Sequence, residues 1–367
     1  LYAAKANLNR GIAKLIADEG LGIDVVSGGE LLTALRAEMP VSSIFFHGNN
    51  KSIEELRLAI DHGICLMVDN WAELTHIFQL THDPQVPVSI MIRLKPEIEA
   101  HTHAFIQTGG VESKFGVDRQ TVSEMIRAIL NEPQVTLRGI HAHIGSQIFD
   151  VAPYEALAQR MAQFLNDLYQ RFGLQFPDIN LGGGFGIRYV QGDDPWPLSA
   201  YASHVARAFK NEMVRFNLAL PRLLLEPGRS IVGAAGVTAY TVGTVKTSGD
   251  KTYVFVDGGM ADNIRPMLYD ARYEVILANK AAQKPTGSYC IAGKFCESGD
   301  QLGENVALPD PQVGDTVVVF TTGAYNYAMA SNYNRFRRPA MVAVEDGKAV
   351  LWVRRETWDD VLQYDRD

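Results

Sequence analysis

Through the first two-thirds of the chain, short apolar runs alternate with longer stretches whose apolar residues recur every three or four positions. The runs predict strands: LYAA (1–4), GIDVV (22–26), SSIFF (42–46), CLMV (65–68), VSIMIRL (88–94), LRGIHAH (137–143), DINLG (178–182) and RLLLE (222–226). Most of the stretches between them predict helices. SIEELRLAIDHG (52–63) carries Ser52 as an N-cap with Glu55 three residues on. PYEALAQRMAQFLNDLYQRFG (153–173) has Pro in its first turn and ends in Gly. Eight strands separated mostly by helices predict an α/β fold, a closed parallel (β/α)8 barrel of the TIM type. An open doubly wound sheet is the alternative. A barrel makes the sharper forecast, because its chemistry sits at the C-terminal strand ends. At or just past those ends stand Lys5, Ser27, His47, Asp69, Arg93, His143, Gly182–Gly184 and Glu226.

After about residue 232 the apolar period shortens to two. YTVGTVKTSGDKTYVFVDGG (240–259) predicts two strands about a Ser-Gly-Asp turn, and AMVAVEDGKAVLWVRRET (340–357) predicts a hairpin about Asp346-Gly347. Thr316–Thr321 is a further β-type run. The expected organisation is a barrel over 1–232 followed by an all-β domain, barrel-like in character, over 233–367, with no low-complexity linker between them.

Composition narrows the class. A net charge of −8 without a basic run argues against a nucleic-acid surface. No apolar run reaches ~18 residues, so no transmembrane helix is expected. Cys65, Cys290 and Cys296 lack zinc-type spacing and form no even set, which suggests a reducing cytosol. The sequence opens on Leu1 rather than Met, which leaves room for a targeting segment removed upstream.

Four segments carry candidate chemistry. LGGGFGI (181–187) offers backbone N–H groups to an anion, a single phosphate group, or is a plain tight turn. Its spacing is neither G-x-G-x-x-G nor a P-loop. LLLEPGRSIVG (223–233) ends an apolar strand on Glu226, which either pairs with nearby Arg229 or faces a protonated heterocyclic nitrogen. In HAHIGSQ (141–147), His141 and His143 fall on one strand face. Without a third ligand nearby, a core histidine or a ring stacked on a flat cofactor is favoured over a metal, and no metal is expected. YAAKAN (2–7) places Lys5 at a strand end among small residues, where burial would prepare an amine nucleophile. The bland reading is a surface lysine with a buried stem. Together the four fit pyridoxal 5'-phosphate (PLP). A lysine holds it as a Schiff base, glycine amides and Ser146 hold its phosphate, a histidine covers one face, and a glutamate keeps the pyridine nitrogen protonated.

With these residues placed, the chain resembles the alanine-racemase-fold (fold-type III) PLP-dependent decarboxylases, and among them the branch acting on diaminopimelate. The likeness runs in order through YAAKAN, DVVSGGEL (24–31), HGNNKS (47–52), HTHAFIQTGGVESKFG (101–116), HAHIGSQI, GGGFGI, EPGRSIVG, DGGMADNIRPMLY (257–269), CESGD (296–300) and GAYNYAMASNYN (323–334). The resemblance implies Lys5 as the Schiff-base lysine, His143 as the ring-stacking histidine, and Ser146, Gly183 and Gly184 as phosphate contacts. It implies Glu226 as the pyridine-nitrogen partner within a cofactor-contacting run that includes Gly228 and Arg229. Arg229, Arg265 and Tyr269 match residues holding the substrate's distal carboxylate, and Tyr325 matches one touching both cofactor and substrate. Cys296 matches the proton donor and Glu297 the reader of the distal amino group. In the family these last two reach the active site of the other subunit of a homodimer. The family normally has a β segment before the lysine strand, usually belonging to the second domain, and this sequence starts too late to include it.

The implied reaction is decarboxylation of meso-2,6-diaminopimelate to L-lysine and CO2, the last step of lysine biosynthesis. Its logic suits the residues. The departing carboxylate needs no arginine, the distal carboxylate takes a cationic fork, and the distal ammonium takes an anion. A thiol with an ordinary pKa of ~8.5 is mostly protonated at neutral pH and can return a proton to carbon. Relatives acting on ornithine, lysine or arginine typically carry Asp after the cysteine and lack the arginine fork. Carboxynorspermidine and a carrier-bound glutamyl group are further alternatives. Racemases of this fold carry arginine at the pyridine nitrogen. A catalytically dead homologue would be expected to have lost Lys5 or Cys296.

Overall fold

The computed structural model describes residues 1–81, 87–96 and 113–366. Most of the HTHAFIQTGGVESKFG motif lies outside the described residues. The chain divides into two compact units, Leu1–Gly186 with Pro195–Ser230, and Ile187–Asp194 with Ile231–Asp367.

The first unit is built from strands β1 (Tyr2–Ala3), β2 (Ile23–Val25), β3 (Ile44–Phe46), β4 (Cys65–Val68), β5 (Val88–Arg93), β6 (Val135–His141), β7 (Asp178–Asn180) and β8 (Arg222–Leu224). They pair in sequence order as one eight-stranded sheet, every pairing parallel. The ring closes through the chain just beyond β8. The Leu1 amino group donates to Leu225 O at 2.7 Å and Ala3 N donates to Pro227 O at 3.0 Å. Strands β2, β3, β4 and β7 are buried along their whole length. Both sheet faces are covered, which is why these strands read as unbroken apolar runs rather than alternating ones. The predicted helices form with their predicted signals. Ser52 and Glu55 make a reciprocal capping box on Ile53–Asp61. Ala152–Phe172 stops at Gly173, whose φ of 67° suits a residue without a Cβ. At the N-terminal end of the barrel, Asp178 accepts from Arg138 Nη2 at 2.5 Å and from Arg222 Nε at 2.7 Å, tying β6, β7 and β8 together.

The second unit is mostly β: β9 (Thr238–Ser248), β10 (Lys251–Val256), β11 (Val275–Leu277), β12 (Gly287–Ala292), β13 (Gln301–Leu308), β14 (Thr316–Val319), β15 (Met341–Glu345) and β16 (Lys348–Val353). The first six form a sheet in the order β11-β14-β9-β10-β12-β13, and the last two form the predicted hairpin. Asp346 and Gly347 both take positive φ, 49° and 74°, as a two-residue hairpin turn requires. Alternate side chains (Val242, Val254, Ile291, Leu302, Val317 and Val319) fill this unit's core. Among the described residues no helix is long and apolar enough to cross a membrane.

Candidate active site

Barrel closure sets Lys5 beside the strand that carries Glu226. Gly228 packs so closely on the first segment that a Cβ there would come within 2.8 Å of Ala3 Cβ. Ala4–Ala6 form a single 3-10 turn after β1, with Ala4 and Ala6 buried. That turn points Lys5 outward, and Lys5 is exposed. The expectation of a lysine buried among small residues is therefore corrected, since the alanines take the buried positions and the ammonium faces solvent. Its charge acts on Asp24, Glu30 and His143.

Glu226 sits in a cage. Asn180 Nδ2 donates to Oε1 at 2.6 Å, His47 Nε2 lies 2.9 Å from Oε1, and His141 Nε2 lies 3.2 Å from Oε2. Burial alone would push its pKa up. The two imidazoles, His47 foremost, instead hold it well below the usual carboxylate range. Burial pushes His141 down to about 4 against the pull of Glu226. Asp24 is pushed up to about 7, first by burial and then by the negative charge of Glu226, while His47 and Lys5 oppose. Of the two readings of Glu226, the pairing with Arg229 is not the one its nearest groups favour, and Arg229 Nη2 donates to Ser146 Oγ at 3.0 Å.

The histidines separate in role. His141 is the last residue of β6 and turns to Glu226, and its Nδ1 is buried with no hydrogen-bond partner. His143 lies beyond the strand, half-buried, and its Nδ1 accepts from Gly183 N at 3.2 Å. That bond leaves the proton of the neutral ring on Nε2. Burial, then the charges of Lys5 and Arg93, hold its pKa well below the usual imidazole range. No third ligand was visible beside His141 and His143 in sequence. The fold supplies a different trio, with His47, His141 and Glu226 offering ligand atoms within 4.8 Å of one another. Asn180 and His141 hydrogen-bond that carboxylate and His47 stands beside it as an electrostatic neighbour, so the surroundings hold Glu226 in place.

Glycines 182–184 are required by close backbone approach. A Cβ on Gly183 would lie 1.9 Å from Glu226 O, and one on Gly184 would lie 2.2 Å from Gly145 O. Gly184 also takes a φ of +100°. The amides of Gly182 and Gly183 are spent on Asn180 Oδ1 and His143 Nδ1. The buried Ser230 hydroxyl has no partner among the described residues. An open amine, a half-buried neutral imidazole, a buried carboxylate held charged and an arginine paired with Ser146 fit a phosphorylated pyridine aldehyde.

In the second unit, Arg265 opens the short helix Arg265–Tyr269 and is buried. Its guanidinium carbon lies 5.1 Å from the Tyr269 ring, 5.7 Å from Tyr189 and 5.8 Å from Tyr325. Tyr325 takes a φ of 60°, a strained value for a residue with a side chain. The structure thus gathers Arg265, Tyr269 and Tyr325 around one charge. Cys296 and Glu297 occupy an exposed loop between β12 and β13. Asp300 organises that loop, accepting from Phe295 N at 2.8 Å and Met260 N at 2.6 Å, while Cys296 N donates to Asn334 Oδ1 at 2.9 Å. Cys65 and Cys290 are buried. Burial pushes the Cys65 thiol up to about 12, which leaves it inert. Asn180, Tyr189, Tyr273 and Asp300 went unread as site residues in sequence.

Residues 1–233 match the family described as "Pyridoxal-dependent decarboxylase, pyridoxal binding domain". The chain is 45% identical to the diaminopimelate decarboxylase of Bacillus subtilis over 99% of its own length and 84% of that protein's. Among solved structures, it is similar to the Helicobacter pylori diaminopimelate decarboxylase complexed with L-lysine, with a TM-score of 0.90 and 33% identity over 99% of this chain and 88% of that one. The M. jannaschii diaminopimelate decarboxylase in co-complex with L-lysine matches with a TM-score of 0.91 and 34% identity, covering 100% and 84%.

Proposed function

The chain belongs to the pyridoxal-dependent decarboxylases, among the diaminopimelate decarboxylases, and on that premise we infer how its residues divide the reaction. It is an amino-acid carboxy-lyase that uses PLP and converts meso-diaminopimelate to L-lysine and CO2. The observation that carries the site reading is Glu226, a buried carboxylate kept charged by two imidazoles where the family needs an anion.

When bound, PLP supplies an electron sink for the charge left as CO2 departs. Lys5 is the amine that holds it covalently. Glu226 holds a proton on the ring nitrogen, and Asn180, His47 and His141 fix that carboxylate in place. His143, neutral and anchored by Gly183, covers one ring face. Ser146, Gly183, Gly184, Gly228 and Arg229 would hold the PLP phosphate. Arg265 and Tyr269 take the distal carboxylate, with Tyr325 beside them and Arg229 contributing positive charge. Glu297 reads the distal ammonium, and Cys296 returns a proton to the carbon that lost CO2. The exposure of Cys296 and Glu297 supports a homodimer in which each subunit lends this loop to its partner. Three cysteines without pairing partners support a cytosolic setting.

The test is kcat/KM for CO2 release from meso-diaminopimelate against lysine, ornithine and arginine. The proposal expects diaminopimelate to lead by orders of magnitude. A preference for any of the single-headed amino acids would overturn it.

A further inference from the structure

Arg265 is 7% exposed, and no carboxylate lies within ion-pair distance of it among the described residues. A buried guanidinium without an anion is costly, so the fold must hold it in readiness for one. One hydrogen bond fixes its orientation: Nε donates to Tyr273 Oη at 2.9 Å. Nε is the donor on the stem side of the fork. Engaging it there turns the guanidinium so that the two Nη groups remain for a planar, bidentate partner. Tyr273 is itself buried and cannot swing. Its ring meets Tyr189 edge-on, with centroids 5.3 Å apart at 87°. The rings of Tyr189, Tyr269 and Tyr325 surround the cation, and each lies within the distance at which a ring face attracts it.

We propose that Tyr273 is a specificity-setting positioning residue: its hydroxyl, braced by Tyr189, pre-orients Arg265 so that the site selects amino acids bearing a second carboxylate. The proposal rests on the reading of Arg265 as the distal-carboxylate group and deepens it. Tyr273 acts through Arg265 and touches neither cofactor nor reacting atoms. Tyr273→Phe keeps the ring and its packing on Tyr189 and removes the hydroxyl, which accepts from Arg265 and also bonds Asn326. Freezing a long side chain beforehand is worth about three- to tenfold in affinity. The variant should therefore raise KM for meso-diaminopimelate by about three- to tenfold and leave kcat within about twofold. Inhibition by 1,5-diaminopentane, which has neither carboxylate, should be unchanged, whereas L-lysine, which keeps the distal carboxylate, should weaken in parallel with the substrate.

The experiment is a double-mutant cycle of Tyr273→Phe and Arg265→Ala on the PLP-loaded enzyme, reading KM, kcat, the inhibition constants of L-lysine and 1,5-diaminopentane, and the thermal midpoint. Arg265→Ala should raise KM steeply, and adding Tyr273→Phe to it should change KM no further. If Arg265→Ala leaves KM unchanged, the distal-carboxylate reading itself fails. If Arg265→Ala raises KM but Tyr273→Phe does not, the positioning role fails alone. Equal weakening of substrate and 1,5-diaminopentane, or additive effects of the two substitutions, would show a general structural role and overturn the proposal.

Discussion

Replacing Glu226 with Gln removes one charge and almost no volume, so it isolates what the carboxylate does. In the wild-type chain Oε1 takes the Asn180 amide at 2.6 Å, and the two imidazoles stand 2.9 and 3.2 Å from the carboxylate oxygens. A glutamine keeps the stem and one acceptor oxygen. Its NH2 must meet either the Asn180 amide or an imidazole Nε2, and it offers no negative charge to a protonated ring nitrogen. A hydrogen bond to a charged group is worth about 1.5–3 kcal/mol. The charge on the ring nitrogen is what makes the ring an electron sink, so that loss falls on the barrier to CO2 departure. At 1.36 kcal/mol per factor of ten, kcat should fall roughly 10- to 150-fold. KM for diaminopimelate should change little, because Glu226 does not face the distal head. The assay is steady-state CO2 release at saturating PLP, with bound cofactor quantified in the same samples. A variant that binds full cofactor and retains kcat within twofold of wild type would refute the reasoning.

Lys5→Ala should lose both the yellow colour of the bound cofactor and turnover while keeping its thermal midpoint, since Lys5 is exposed; a normal visible spectrum would remove Lys5 from the mechanism. Lys51 lies 2.5 Å from Glu73, both side chains being buried, and also donates to Gly48 O and Met67 O. Lys51→Met should cost about 3–5 kcal/mol by stranding Glu73, and Glu73→Leu added to it should recover most of that in urea unfolding. His141 titrates at about 4 when folded and near 6.5 when unfolded, so the unfolded chain binds more protons as pH falls through this window and stability drops. About 2 kcal/mol of that loss should come between pH 6.5 and pH 5 and be missing from the His141→Asn variant, and identical pH slopes for the two proteins would contradict it. Inactive Lys5→Ala and Cys296→Ala chains should restore activity when their subunits are exchanged, and no rescue after proven exchange would count against a shared site.

The barrel was legible because each of its strands is an apolar run too short for a helix, spaced by helical periodicity. CLMV matches β4 residue for residue. The second unit was legible from alternation and from Asp346-Gly347, whose turn demands positive φ. Candidate site residues stood out where one segment concentrates unusual chemistry, as in GGGFGI or CESGD, and the proposed site draws on both. What escaped was the third dimension. Lys5 reads as buried from its alanine neighbours, but a single 3-10 turn decides which side chains face in. Glu226 reads either as a partner for nearby Arg229 or as a carboxylate facing a ring nitrogen, and sequence does not show its neighbours in space, His47, His141 and Asn180, brought in by three other strands or their ends. Tyr273 and Tyr189 are separated by more than eighty residues, and nothing local marks either as a brace for Arg265.

The central claim is that this chain removes one carboxyl group from meso-diaminopimelate and reprotonates the same carbon. The PLP-loaded enzyme should be run in D2O with meso-diaminopimelate, measuring CO2 together with lysine by mass spectrometry. The account predicts equimolar CO2 and L-lysine, the lysine carrying one non-exchangeable deuterium at the carbon that lost CO2, and neither product from Lys5→Ala. CO2 without lysine, lysine without deuterium at that carbon, or undiminished product from Lys5→Ala would contradict it.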